Sequence, residues 1–177
     1  MIPRLLSLPE LNALSRDGFT RIIGPVFEHS PWIAEAACSK RPFGSLDELH
    51  DVLRGIVRAS DEERQIALIC AHPDLVGRAA LAGTLTAPSK AEQAGAGLDR
   101  LTPGEIAEFQ RFNRAYREKF GFPFVICARI NKKEAILAAF PVRLTHDRQE
   151  EVNAALEEIY KIAYFRLQDI VAAWHAA

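Results

Sequence analysis

Five stretches of this 177-residue chain carry the signature of a helix start, and strand signals are nearly absent. Ser7-Leu8-Pro9-Glu10 offers a cap, a proline in the first turn and an acid at the third position. Ser45-Leu46-Asp47-Glu48, Ser60-Asp61-Glu62-Glu63, Thr102-Pro103-Gly104-Glu105 and Asn131-Lys132-Lys133-Glu134 repeat the pattern of a capping residue with an acid three positions on. That spacing lets cap and acid each satisfy an orphan backbone N–H. Apolar residues follow at helical spacing. Leu46, Leu49, Leu53, Ile56 and Val57 form one stripe, and the helix that opens at Ser60 is expected to run to about Ala71. Ile106, Phe109, Asn113, Tyr116 and Phe120 lie on the helix after Thr102, which is expected to stop near Gly121. The last helix is the longest, from about His146 to Trp174, with Val152, Leu156, Ile159, Ala163, Leu167, Ile170 and Trp174 on one stripe; residues 141–144 are expected to link it to the helix before. Only residues 124–130 suggest a strand, and one short strand makes no sheet. The expected fold is all-α: a single compact bundle of about eight helices. It ends in a long C-terminal helix and forms one domain over residues 1–177.

Composition narrows the function. Apolar residues make up 49% of the chain, charged residues 25%, and the net charge is −1, so an ordinary globular core is available and no basic face points to nucleic acid. The substrate class that fits is a small molecule. No apolar run reaches membrane-spanning length, so no membrane partner is expected. The first fourteen residues lack the long apolar core of a secretory signal. The end, Trp174-His175-Ala176-Ala177, is not a peroxisomal address. A cytoplasmic location is expected. Cys38, Cys70 and Cys127 are far apart and odd in number, which indicates neither a disulfide framework nor a metal site; each is expected to pack as a small hydrophobe.

Groups able to move protons concentrate between His72 and Arg129, beside prolines, glycines and apolar runs. His72 stands at a helix end, just before Pro73, where proline disfavours helical geometry. Its chemical use would be general acid or base; taken alone, a helix-ending His that meets the last carbonyls is the more common outcome. Ser89 and Glu92 have the spacing of another capping box, compatible with an anion or polar ligand at that helix start. Gly95-Ala96-Gly97 completes neither dinucleotide nor P-loop fingerprint and is read as a helix end or a close backbone approach. Arg129 follows an apolar run. Arg166 shares a stripe with Ile159, Ile162 and Ile170, and there needs an anion from the protein or from a substrate, the protein partner being the commoner outcome.

Taken together, His72-Pro73-Asp74-Leu75, Ser89-x-x-Glu92-Gln93, Gly97-Leu98-Asp99 and the run from Lys119-Phe120-Gly121-Phe122-Pro123 through Ala128-Arg129 resemble the OHCU decarboxylase family, as do Phe43-Gly44-Ser45 and Ile162-Ala163-x-x-Arg166-Leu167. OHCU is 2-oxo-4-hydroxy-4-carboxy-5-ureidoimidazoline, an unstable intermediate of urate breakdown. The resemblance covers nearly the whole chain. It implies an all-α homodimer without metal or organic cofactor that yields (S)-allantoin and carbon dioxide. It places His72 and Glu92 in catalysis. Substrate contacts fall to Pro73, Ser89, Lys90, Ala91, Glu92, Gln93, Phe124, Val125, Ile126, Cys127, Ala128 and Arg166, with Arg129 the alternative to Arg166 for the substrate carboxylate. The chain departs from the pattern at Thr145-His146-Asp147, where an Asn is expected. Two other readings stay open here: a non-catalytic helical interaction module, and another cofactor-free lyase or hydrolase acting on a related ureide.

Overall fold

Capping side chains mark where most of the helices begin. A computed structural model describes residues 5–77, 80 and 82–172. It contains nine α-helices among those residues: α1 (Leu8–Ala13), α2 (Arg16–Ile23), α3 (Trp32–Ala37), α4 (Leu46–Arg58), α5 (Glu62–Ala71), α6 (Ala87–Gly95), α7 (Pro103–Phe120), α8 (Lys133–Arg143) and α9 (Arg148–Gln168). The fold is all-α with a long final helix, as expected. Two of the five expected start signals form full reciprocal boxes, Ser7 with Glu10 and Thr102 with Glu105. Ser45 accepts from the Glu48 N–H, but the Glu48 carboxylate reaches Gly44 instead of Ser45. Asp61, not Ser60, caps α5, through the Arg64 N–H at 2.8 Å; the Ser60 hydroxyl donates back to the Val57 carbonyl at 2.7 Å. Asn131 does not cap α8: the position belongs to Lys132, and the Asn131 amide binds the Cys127 carbonyl at 3.0 Å.

The described chain divides into two compact units. One comprises residues 1–68 and 163–177. Its buried side chains include Leu11, Phe19, Ile23, Ile33, Leu49, Leu53, Val57 and Leu167. The Asn12 side chain and the Phe43 backbone exchange two hydrogen bonds of 2.9 Å, which ties the loop before α4 to α1. Leu6 and Val171 form an isolated parallel bridge.

The other unit comprises residues 69–162. Its core is aromatic. Tyr116 of α7 meets the rings of Phe120, Phe122, Phe124 and Phe140, and the Phe124 and Phe140 rings stack with centroids 3.9 Å apart. Helix α7 ends at Gly121, whose φ of 82° is the left-handed geometry glycine adopts without strain. Residues 124–130 form no strand: they run as irregular, largely buried backbone into a turn. With no second strand among the described residues to pair, side chains meet three of their backbone groups: Arg143 the Val125 carbonyl, Glu158 the Cys127 N–H and Asn131 the Cys127 carbonyl.

Residues 141–143 are the last turn of α8 and not a linker, so Pro141 lies inside a helix. Proline's fixed φ suits the helix and only one N–H is lost. The turn closes through Leu144 N–H to the Phe140 carbonyl at 2.9 Å. Helix α9 starts two residues later than expected, because Asp147 and Glu150 form an unforeseen capping box with bonds of 2.8 and 2.9 Å. Val152, Leu156, Ile159, Ala163 and Leu167 of the expected stripe are buried. Ile170 lies past the helix end, and Trp174 lies outside the described residues. The three thiols are free, with Cys38 and Cys127 buried; Cys70 is exposed and so does not pack as a core hydrophobe. No helix among the described residues is long and apolar enough to cross a membrane.

The Thr102 box carries a pH dependence. Lys133 Nζ lies 2.5 Å from a Glu105 oxygen, and this bond, followed by those from Thr102, lowers the Glu105 carboxyl to about 2. A carboxylate with a depressed folded pKa stabilises above its unfolded value and loses that contribution as pH falls through the folded one. Glu105→Gln should therefore be less stable than the parent at pH 6, the difference closing between the ordinary carboxylate value of 4.5 and about 2. Urea midpoints across that range check it; equal midpoints at pH 6 would remove Glu105 from the stability of the unit.

Candidate active site

Helix α5 ends at Ala71 because Pro73 follows His72. The His72 N–H closes the last turn on the Ile69 carbonyl at 3.1 Å, and His72 is 6% exposed. Pro73 is half-buried. The chain then turns tightly, the Gly77 N–H meeting the Asp74 carbonyl at 3.1 Å. Three side chains fasten this turn. Asn113 Nδ2 donates to the Leu75 carbonyl at 2.8 Å. Arg117 Nε lies 3.0 Å from both Asp74 carboxylate oxygens. The Val76 N–H points to Gln93 Oε1 at 3.5 Å.

Helix α6 begins three residues earlier than the Ser89–Glu92 spacing suggests. Thr86 is the cap and accepts from the Ser89 N–H, so Ser89 lies inside the first turn and is not a cap itself. This shift has a consequence. Ser89, Glu92 and Gln93 stand at i, i+3 and i+4, on one helical face. Ser89 and Gln93 are buried and Glu92 half-buried, whereas Lys90 and Ala91 are exposed off that face. The helix ends at Gly95, with Gly97 at φ 84°, as its glycines indicated.

The third segment is the backbone of Phe124, Val125, Ile126, Cys127 and Ala128, each 9% exposed or less. Arg143 Nη1 donates to the Val125 carbonyl at 2.5 Å, and the Cys127 N–H donates to Glu158 Oε2 at 2.8 Å. Burial pushes the Cys127 thiol up, and the Glu158 and Glu92 carboxylates push it the same way. Glu92 therefore lies within electrostatic reach of Cys127. Gln93 against Val76 and Glu92 near Cys127 bring the His72 turn, the α6 face and the 124–128 backbone together.

Arg166 belongs to the unit of residues 1–68 and 163–177. It is 5% exposed and donates to Glu28 Oε2 at 2.9 Å, Glu28 being 3% exposed. The protein anion expected for a buried Arg is thus present. Arg129 is exposed. A surface cleft in the first unit, lined by Arg16, Trp32, Glu35 and Arg64 among others, contains none of the expected site residues. Among the described residues, no three His, Cys, Asp or Glu side chains converge as a metal-binding group.

The sequence model of one family, described as OHCU decarboxylase, matches residues 12–168. The chain belongs to the OHCU decarboxylase family. A 2-oxo-4-hydroxy-4-carboxy-5-ureidoimidazoline decarboxylase of Haloferax volcanii is 43% identical over 164 residues, covering 93% of this chain and 95% of that one. The protein of the same name from Amia calva is 40% identical over 166 residues, covering 94% and 95%. Among solved structures, a crystal structure of (S)-allantoin synthase superposes with a TM-score of 0.75 at 29% identity over 93% of this chain; the chain spans about half, 54%, of that molecule.

In this OHCU decarboxylase family member the polar groups of the three segments differ in how they are committed. Cys127 N–H and the Val125 carbonyl already have charged partners. Asn113, Arg117, Arg143, Glu151 and Glu158, which hold the segments, were not foreseen as site residues. One signal existed for Asn113: a polar residue on the apolar stripe of Phe109, Tyr116 and Phe120, the pattern that singled out Arg166. The others sit on helices that carry many charged residues, and spacing alone does not separate them.

Proposed function

We propose that this chain is a cofactor-independent carboxy-lyase that converts OHCU to (S)-allantoin and carbon dioxide, acting as one decarboxylase domain over the whole chain. The observation that carries this reading is a buried imidazole, His72, in a turn tied by Gln93 to the α6 face that presents Ser89 and Glu92. The substrate is a small polar anion whose ring C=N adjoins the carbon bearing carboxylate and hydroxyl. When the bond to the carboxylate breaks, carbon dioxide leaves, the electron pair flows into that C=N, and its nitrogen takes up a proton from solvent. The enol left behind takes a proton on the neighbouring carbon and gives up the hydroxyl proton to become the ketone of allantoin. The electron sink is in the substrate, so the protein's tasks are orientation, charge stabilisation and stereospecific proton delivery.

In this reading His72 handles the hydroxyl proton as general acid and base. Glu92 accepts from ureido or ring N–H groups. Ser89, Gln93, Pro73 and the backbone of Phe124, Ile126 and Ala128 line the remaining edge, with Lys90 and Ala91 at its exposed margin. Arg166 is the proposed carboxylate contact, with Glu28 as its competing partner. A homodimer and a cytoplasmic location accompany the reading; sedimentation checks the first.

The experiment generates OHCU in place from urate with urate oxidase and hydroxyisourate hydrolase and follows circular dichroism. Rapid appearance of the (S)-allantoin signal is expected. Decay to racemic allantoin at the uncatalysed rate, with folded protein present, would overturn the proposal. Glu92→Gln should lower kcat/KM by about tenfold or more, the scale of a hydrogen bond to a charged group. An unchanged kcat/KM would remove Glu92 from the site.

A further inference from the structure

The turn that carries His72 is strained. Val76 is β-branched and has φ 55°, a conformation such residues almost never adopt. At Gly77 an added Cβ would stand 2.6 Å from the Asp74 Cβ, so the backbone here approaches more closely than a side chain allows. Strain of this kind persists only where surrounding contacts over-determine the conformation. Beside Gln93 of α6, which meets the Val76 N–H at 3.5 Å, the contacts that do so come from one strip of α7. Asn113 and Arg117 are separated by four residues and so face the same way, Asn113 binding the Leu75 carbonyl at 2.8 Å and Arg117 the Asp74 carboxylate at 3.0 Å. Arg117 also lies within electrostatic reach of the Cys70 thiol at the end of α5. The turn is therefore fastened on the side of its helix and at its tip.

Asn113 is a poor choice for stability alone. It is 7% exposed among aromatic neighbours on its helix, and its Oδ1 is buried with no hydrogen-bond partner among the described residues. An unmatched buried acceptor is a cost. What the residue supplies in return is a single rigid donor at the Leu75 carbonyl.

We propose that Asn113 and Arg117 are positioning residues: they hold the residue 72–77 turn in its strained form and thereby set where the His72 imidazole stands. The inference rests on the reading of His72 as the group that handles the substrate's proton. Asn113→Leu keeps size and removes the donor. Arg117→Ala tests the same turn from its half-exposed side, where loss of the fold is not at issue. Misplacement of a reacting group by about 1 Å costs on the order of 10²-fold in rate. Asn113→Leu should lower kcat at least tenfold with KM within about threefold, and Arg117→Ala should lower kcat several-fold with Tm nearly unchanged. In both variants the His72 ring signals, assigned by their loss in His72→Gln, should shift in a nitrogen-detected NMR titration. If Asn113→Leu does not fold, Arg117→Ala decides. Parental kcat together with an unmoved His72 titration, in a folded variant, overturns the proposal. A fall in Tm without either change also overturns it, since that is what a merely structural role predicts. If the parent protein does not turn over OHCU, the functional reading falls, and the His72 titration alone decides whether α7 positions the ring.

Discussion

Replacing His72 with alanine is expected to lower kcat for OHCU decarboxylation roughly 10²- to 10⁴-fold, the usual contribution of a positioned general acid or base. The expectation rests on where the imidazole sits. It is 6% exposed, at the point where Pro73 stops α5. The following turn is fastened through backbone and other side chains: the Leu75 carbonyl, the Asp74 carboxylate and the Val76 N–H. The imidazole can therefore be removed while those anchors stay in place, and the variant should remain folded, with its far-ultraviolet circular dichroism unchanged. Loss of rate with KM changed little would mark His72 as acting in the transition state and not in uniform binding. An enzyme that keeps its parental kcat after His72→Ala would remove the acid–base assignment.

Replacing Glu151 with alanine is expected to destabilise the protein by about 3–5 kcal/mol, the cost of breaking a buried ion pair from one side. Glu151 is fully buried and Arg143 is 8% exposed. One Glu151 oxygen accepts from Arg143 Nε at 2.7 Å and from the Tyr116 hydroxyl, and the other lies 2.7 Å from His146 Nδ1. Burial holds the Tyr116 hydroxyl well above the usual tyrosine range, so Tyr116 remains a neutral donor to the carboxylate. Without Glu151, the Arg143 guanidinium stays buried over the Phe124 ring, 4.6 Å from its centroid, with its main counter-charge gone. For a chain of this size that loss corresponds to a fall in Tm of roughly 6–20 °C. Arg143→Met should be comparably destabilising, and the double variant less so than the sum, because each single change orphans the other's partner. A loss below about 1 kcal/mol for Glu151→Ala would show that the pair contributes no more than a surface one. Arg143 also holds the Val125 carbonyl, so these variants should disturb the 124–128 backbone and lower activity alongside stability.

The same cluster explains the departure at Thr145-His146-Asp147. The change is not silent locally: His146 joins the buried carboxylate and Asp147 caps α9. Both are short-range effects of a kind the sequence can show. The link to Arg143 and Tyr116 is not, because it joins residues on three helices.

Much of the molecule was legible from local rules. Ser7 and Thr102 cap as their spacing says, Gly121 ends α7 as its conformational freedom allows, and the apolar stripe of α9 is buried from Val152 to Leu167. These are interactions within a few residues, which sequence spacing encodes directly. Caps were misread where a nearer competitor existed: Asp61 displaced Ser60, Thr86 displaced Ser89, and Lys132 took the position offered to Asn131. Several nearby residues can each stand at a helix start, and the one chosen depends on the path by which the chain enters the helix.

The sequence by itself determined the helical class and the family, and it put forward His72, Glu92 and the 124–128 run as candidates, since these rest on residue type, order and periodicity. The tertiary structure alone decided which of them meet. Only when α6 starts at Ala87 do Ser89, Glu92 and Gln93 share a face. Only the packing of α7 brings Asn113 and Arg117 onto a turn some forty residues earlier, 38 and 43 positions away. The physical reason is that a lone buried polar group is costly and must find a partner. Its sequence reveals that need, but the partner is whatever the fold carries to within hydrogen-bonding distance.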